Sequence, residues 1–285
     1  MIYLSTLAFE DEHYCLNEMA EFAAKFECGL EFGSNALPAD IDLSELTIPM
    51  LIHNYNPIPD ESFVLNLSSM DPLQLAKSID MVARNLTLSH KLNMPFYGLH
   101  AGFLAKVEPS MLGTAIQGGK LELSRSYSEY CTDFAVNLGR AFALSSAPPD
   151  YPVLIENNVI GSKNFRAGFS SHLLALGSED TTELLGAVHE RGVNARLLFD
   201  VGHAKVSGYQ LGFSPHRFHD QVKGMIGAYH LSENNGLEDT NQPISGDSWF
   251  LEFLRERPGA IVTLEVRGSV RDLTTQIEIL KGCGC

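Results

Sequence analysis

Apolar runs of strand length recur along the whole chain, and segments of helix length lie between them. The runs occupy 2–8, 29–32, 50–53, 96–103, 153–156, 196–201, 226–231 and 261–266, eight in all. They are apolar without strict alternation, the pattern of strands covered on both faces in a parallel sheet. Apolar residues at helical spacing predict helices over 13–26, 71–92, 128–144, 181–191, 215–222, 248–255 and 271–281. Asp71-Pro72 marks a helix start, because proline lacks only an N–H that the first turn leaves unpaired anyway. Gly192, after His189-Glu190-Arg191, marks a helix stop. Regular β-α alternation over eight strands predicts the α/β class and a single-domain (β/α)8 TIM barrel over residues 1–285. A doubly wound open sheet is the alternative, but its glycine-rich first turn is not found here.

The ends of these runs break the pattern. Val153-Leu154-Ile155 leads into Glu156, and Ile261-Val262-Thr263-Leu264 into Glu265. Leu197-Leu198-Phe199 leads into Asp200 and then His203, and Ile226-Gly227-Ala228-Tyr229 into His230. His53 ends the third run, His100 lies within the fourth, and Asp239 follows the seventh. Singly, each has a plain explanation: a packed histidine, a helix-capping aspartate, an ordinary loop residue. Together they would share the C-terminal rim of a barrel, where such folds carry their active sites. Buried carboxylates need partners, and one divalent cation satisfies several at once. Mixed oxygen and nitrogen donors suit zinc, manganese, magnesium or cobalt.

Charge and cysteines narrow the classes further. Lys+Arg total 20 against Asp+Glu 35, a net charge of -15. Neutralising phosphates needs basic surface, so nucleic acid is not the expected partner. No apolar stretch approaches the ~20 residues of a membrane span. The opening residues, Met1-Ile2-Tyr3-Leu4, read as a first strand rather than a leader, and a cytoplasmic location is expected. Five cysteines, scattered over 285 residues, do not form a disulfide framework. Cys283-Gly284-Cys285 is read as a frayed tail. Assembly into a homo-oligomer is left open.

The segments Gly29-Leu30-Glu31-Phe32, His53-Asn54-Tyr55, Gly98-Leu99-His100-Ala101-Gly102, Leu154-Ile155-Glu156-Asn157, Phe199-Asp200-Val201-Gly202-His203, His230-Leu231-Ser232-Glu233 and Leu264-Glu265-Val266-Arg267 follow one another over nearly the whole chain. In order and spacing they resemble the xylose-isomerase-like barrel superfamily, which holds sugar isomerases, sugar epimerases and the endonuclease IV type of AP endonuclease. The epimerase branch implies one divalent ion held by Glu156, Asp200, His230 and Glu265. There Glu156 and Glu265 also act as the catalytic pair, removing and returning a proton through a metal-stabilised enediolate on a sugar or sugar phosphate. The endonuclease branch implies up to three zinc ions on a larger set that adds His53, His100, His203 and Asp239. The remaining position of that set, a histidine two residues after Asp239, is Asn241 here. The alternatives are therefore a zinc phosphoesterase and a non-catalytic sugar-binding barrel.

Substrate contacts are expected from His203, Asn54, Asn157, Lys205 and Arg267, with Tyr55 and Asn66 nearby. Phe9 and Phe103 follow strand ends and are expected to form an apolar wall against a sugar ring. Trp249 falls at helical spacing with Phe253 and is expected in the core.

Overall fold

In the computed structural model, described for all residues except 13, 34–41, 113 and 117–124, eight strands close into one parallel barrel in chain order. They are β1 (Ile2–Ser5), β2 (Gly29–Phe32), β3 (Met50–His53), β4 (Tyr97–His100), β5 (Val153–Glu156), β6 (Ala195–Asp200), β7 (Ile226–Leu231) and β8 (Ile261–Leu264). Pairing of β1 with β8 completes the ring. The first strand is shorter than the apolar run 2–8, because Thr6–Glu12 winds into a 3₁₀ turn. The expected helix start at residue 13 lies outside the described residues.

Helices surround the ring. They are α1 (Leu16–Lys25), α2 (Pro72–Lys91), α3 (Tyr127–Leu144), α4 (Ser162–Arg166), α5 (Ser178–His189), α6 (Val201–Leu211), α7 (Pro215–Val222), α8 (Leu251–Arg255) and α9 (Val270–Gly282). The Asp71 side chain accepts from the backbone N–H of Leu73 and Gln74, which caps α2 as the Asp-Pro pair predicts. No helix among the described residues is long and apolar enough to cross a membrane.

Two helices were not expected from the sequence, α4 and α6. In α6 the residues Val201, His203, Ala204, Val206 and Ser207 are all buried, so the segment presents no polar stripe at helical spacing. The C-terminal residues also depart from the expected frayed tail. Cys283 is buried at the end of α9, and the Gly284 carbonyl accepts from Gly259 N–H at 2.8 Å.

The strands are apolar runs with a hidden period of two, because successive side chains point to opposite faces. Outward residues such as Leu30, Ile52, Tyr97, Ile155, Phe199 and Val262 join the large core beneath the helices. Tyr3, Leu51, Phe96, Leu154, Leu198 and Ala228 form a separate cluster that plugs the barrel interior. Two residues further along the same inward face stand Ser5, His53, Gly98, Glu156, Asp200 and His230. The barrel is thus apolar below and charged above.

A buried titratable group outside this centre sets one stability prediction. His219 on α7 stacks on Phe253, with ring centroids 3.7 Å apart, and its Nε2 lies 3.1 Å from the Tyr229 hydroxyl. Burial pushes its pKa down to about 4. The unfolded chain therefore binds this proton more readily than the folded one. The contribution is fully present above the unfolded value near 6.5 and is lost as pH falls toward 4. Across that window stability should fall by about 3 kcal/mol. His219→Phe should flatten this part of the urea-midpoint profile between pH 4 and 6.5; an unaltered slope would place the titration elsewhere.

Candidate metal centre

Parallel register brings the charged strand ends together. His100 pairs with Glu156 across β4 and β5, and Asp200 pairs with His230 across β6 and β7. Gly98, opposite His53, makes room for that ring: a Cβ there would lie 3.2 Å from His53 Cδ2. Glu265 sits one residue beyond β8, held by its N–H on the Leu231 carbonyl at 3.1 Å.

Glu156 is the hub and is fully buried. Its Oε2 lies 2.8 Å from Nε2 of both His53 and His100. Its Oε1 lies 3.2 Å from His230 Nδ1 and 3.7 Å from His203 Nδ1. His230 Nδ1 is also 2.9 Å from Glu265 Oε2 and 4.0 Å from Asp200 Oδ2. Asp200 serves two ends at once. Its Oδ1 accepts the His203 N–H at 2.7 Å and caps α6, while Oδ2 faces His230 and His203. His203 Nε2 reaches Asp239 Oδ2 at 3.3 Å, and its Nδ1 lies 2.8 Å from the Asn157 carbonyl.

The sequence reading missed Glu31 as a site residue. It is buried, with Oε1 2.9 Å from His230 Nε2 and Oε2 accepting from the Thr263 hydroxyl at 3.0 Å. The signal was a carboxylate inside an otherwise apolar four-residue strand, Gly29–Phe32.

The groups of the centre shift one another strongly. Burial alone would raise Glu156, but His100, His53 and His230 hold it well below the usual carboxylate range. Burial raises Asp200 well above that range, and the charges of Glu156, Asp239 and Glu265 add to it against His203. Burial would lower His203 and His230, yet both are raised well above an ordinary imidazole. The carboxylates responsible are Asp200, Asp239 and Glu156 for His203, and Glu31, Glu156 and Glu265 for His230. Glu265 is lowered because His230 outweighs burial. Protons thus carry the positive charge that this many carboxylates require.

The same residues fit a cation. Glu156, Asp200, His230 and Glu265 each offer a ligand atom, all within 4.8 Å of one another; so do His53, His100 and Glu156, and so do Glu31, His53 and His230. Despite close neighbours, Glu156 Oε2 and His230 Nε2 make no in-line hydrogen bond, and Asp239 Oδ1 also has none among the described residues. Buried polar atoms are seldom left so. Lone pairs that converge without hydrogen-bond alignment are what a coordinated divalent ion needs.

The expected substrate-contact residues separate. Asn54, His203 and Tyr55 line a cavity of about 630 Å³ above the centre, with His100 and Asp239. Asn157 instead ties β5 to β6, accepting from Asp200 N–H at 2.8 Å and donating to its carbonyl at 3.1 Å. Lys205 Nζ is taken by Glu233 and the Asn234 carbonyl, and Arg267 pairs with Glu10 on the surface. Neither lines the cavity. Asn66 donates to the Phe103 carbonyl at 2.8 Å and braces a rim loop. Phe103 lines the cavity, whereas Phe9 is fully buried against Tyr14 and Phe22. Trp249 packs against Phe253, as its spacing predicts. Asn241 takes a φ of 47°, and its carbonyl accepts the Arg267 N–H at 2.6 Å.

No protein-family model and no curated protein matches the chain. Solved structures do match it. A D-tagatose 3-epimerase-like protein aligns with a TM-score of 0.63 at 16% identity, covering 99% of this chain and 96% of that one. The 3-keto-D-glucoside 4-epimerase of E. coli aligns at 0.61 and 13% identity, covering 99% and 98%. Endonuclease IV from Thermus thermophilus aligns at 0.59 and 12% identity, also covering 99% and 98%. What this chain shares with these proteins over nearly its whole length is the closed eight-stranded parallel barrel. At these identities the likeness is one of fold. The chemistry lies with the residues of the rim.

Proposed function

We propose that this chain is a divalent-metal-dependent isomerase or epimerase of a sugar-like hydroxy-carbonyl compound. The observation that carries this reading is the convergence of Glu156, Asp200, His230 and Glu265, with Glu156 beside the His100 and His203 that line the cavity. Fold likeness to sugar epimerases supports it. Glu156, Asp200, His230 and Glu265 would hold the ion. When bound, a divalent ion polarises a carbonyl and favours negative charge on its oxygen.

Burial divides the two glutamates. About a quarter of the Glu265 side chain is accessible, 23%, so its carboxylate can reach a substrate carbon. Glu156 is wholly buried and held as a carboxylate by three histidines, the state in which it binds a cation. Glu265 takes the proton from the carbon beside the carbonyl. Return of that proton by Glu265 to the neighbouring carbon is isomerisation; epimerisation instead needs a different proton on the opposite face, which Glu156 could supply only from its protonated state.

A second reading, a zinc phosphoesterase, has its own observation. His53 and His100 both approach Glu156 Oε2, and His203 approaches Asp239, which makes room for more than one ion. Against it, no Lys or Arg among the described residues lines the cavity, and the chain carries a charge of -15.

The test is solvent exchange. Protein reconstituted with Mn²⁺, Co²⁺, Zn²⁺ or Mg²⁺ is incubated in D₂O with ketoses, aldoses and simple hydroxy ketones. Deuterium should enter at the carbon beside the carbonyl, and Glu265→Gln should slow its uptake by about 10²–10⁴-fold. Full exchange in that variant would remove Glu265 from the reaction. Two or three zinc ions per chain with cleavage of abasic duplex would instead establish the phosphoesterase.

A further inference from the structure

The cavity above the centre does not suit a bare sugar. Its wall comes from the loops after β3, β4 and β5, and it is mostly apolar: Phe63, Leu65, Phe103, Ile116, Phe169 and Leu173 all face it. Most of these belong to a second apolar cluster outside the barrel core, in which Val64, Ile116, Phe169 and Leu173 are buried with Phe103 packed against them.

Four of the polar side chains in the same wall, those of Tyr55, Asn158, Asn164 and Asn54, are already engaged. The Tyr55 hydroxyl donates to the Phe63 carbonyl at 3.0 Å and accepts from Leu65 N–H at 2.5 Å. Asn158 Nδ2 donates to the Gly102 and Leu174 carbonyls, both at 2.8 Å. Asn164 Oδ1 accepts from Ile116 N–H at 2.7 Å, and Asn54 Oδ1 accepts from His100 N–H at 2.9 Å. A sugar hydroxyl placed against this wall would exchange water for few partners, a cost of the kind that buried polar groups avoid.

The wall is also braced before any ligand arrives. Phe103 and Leu173 form an antiparallel bridge between the β4 and β5 loops, and Leu104 N–H donates to the His172 carbonyl at 2.9 Å. The ionisable side chains of the lining are grouped apart from this wall, on a floor formed by His100, His203 and Asp239, which contact one another or the Glu156 hub. At about 630 Å³ the space exceeds what one sugar ring fills and falls in the range of drug-sized ligands.

We infer that the substrate is uncharged and two-faced: a hydroxy-carbonyl end on the His100–His203–Asp239 floor, and an apolar substituent of about aryl size against Phe103, Phe169 and Leu173. The polar end rests on the isomerase reading above, and the apolar end rests on the wall alone. A phosphorylated substrate is disfavoured, since no Lys or Arg among the described residues lines the cavity.

Three probes decide it, with binding to the metal-reconstituted protein followed by NMR titration. Hydroxyacetone and 2-hydroxyacetophenone differ in methyl against phenyl, and dihydroxyacetone phosphate adds a charged group. The phenyl compound should bind at least about tenfold tighter than the methyl one, from the apolar area it buries. The phosphate should bind no tighter than hydroxyacetone. Phe103→Ser should lower the phenyl-to-methyl ratio by about threefold or more. If that variant fails to fold, the three-probe series on the unaltered protein still decides. Equal binding of the two ketones, a preference for the phosphate, or no binding by any probe would overturn the inference. Phenyl preference without deuterium exchange would leave it standing and remove the isomerase reading, and exchange without phenyl preference would do the reverse.

Discussion

Glu156→Gln is expected to damage this protein more than any other single change at the rim. Glu156 places one oxygen on His53 and His100 and the other toward His230 and His203, so it belongs to both halves of the donor set. An amide is a weak cation ligand, and its NH₂ would set donors against the N–H groups of the histidines that the carboxylate accepts from. Removing one partner of a buried ion pair costs about 3–5 kcal/mol, because the other charge stays buried. The metal-free variant should lose stability on that scale in urea, and deuterium exchange should fall by about 10²–10⁴-fold. The comparison with Glu265→Gln is informative. Glu265 is partly accessible, so its variant should lose exchange with a smaller loss of stability. Equal stability of the Glu156→Gln and unaltered proteins would mean that the histidines do not depend on this carboxylate.

The second large effect is the exchange of protons for metal. His203 and His230 are both raised well above an ordinary imidazole, and Asp200 well above an ordinary carboxyl. In the metal-free protein the folded state therefore binds more protons at this centre than the unfolded chain does. The imidazole contribution is fully present below the unfolded value near 6.5 and is lost as pH rises through the raised folded values. Chelator-treated protein should consequently lose stability as pH rises above about 6.5. Asp200 pulls in the same direction, since its folded value lies above that of the unfolded chain. A divalent ion reverses the trend, because it needs imidazole and carboxylate unprotonated and so binds better as pH rises. Saturation at about a thousand times the dissociation constant adds roughly 4 kcal/mol. Thermal melts with Mn²⁺, Co²⁺ or Zn²⁺ at pH 6 and pH 8.5 should thus diverge, with the larger gain at the higher pH. Melts unmoved by all three metals would end the case for a metal centre. The His219 slope lies below pH 6.5 and separates from this effect by its range.

The chain by itself determined the barrel. Eight apolar runs with helical segments between them leave a parallel sheet covered on both faces, and a closed ring is the arrangement that buries every run. Asp71-Pro72 and Gly192 mark helix ends through backbone chemistry that is local, so they could be placed without the fold. The carboxylates and imidazoles at the run ends were equally legible, because a charge after a buried strand stands out against its neighbours. Where burial is uniform the signal fails: α6 has no polar face, so nothing in its spacing announces a helix.

Only the tertiary structure decided which of these groups act together. Register across β4–β5 and β6–β7 sets His100 against Glu156 and Asp200 against His230, although more than fifty residues separate the first pair along the chain. It drew Glu31 into the centre from a strand that reads as core. It sent Lys205 and Arg267 to partners elsewhere, because a charged side chain near a rim takes the nearest counter-charge. It also built the apolar wall, since Phe103 and Leu173 meet only when the loops of neighbouring strands fold over the same opening. Periodicity and capping are set by neighbours in the chain; a donor set and a cavity are set by neighbours in space.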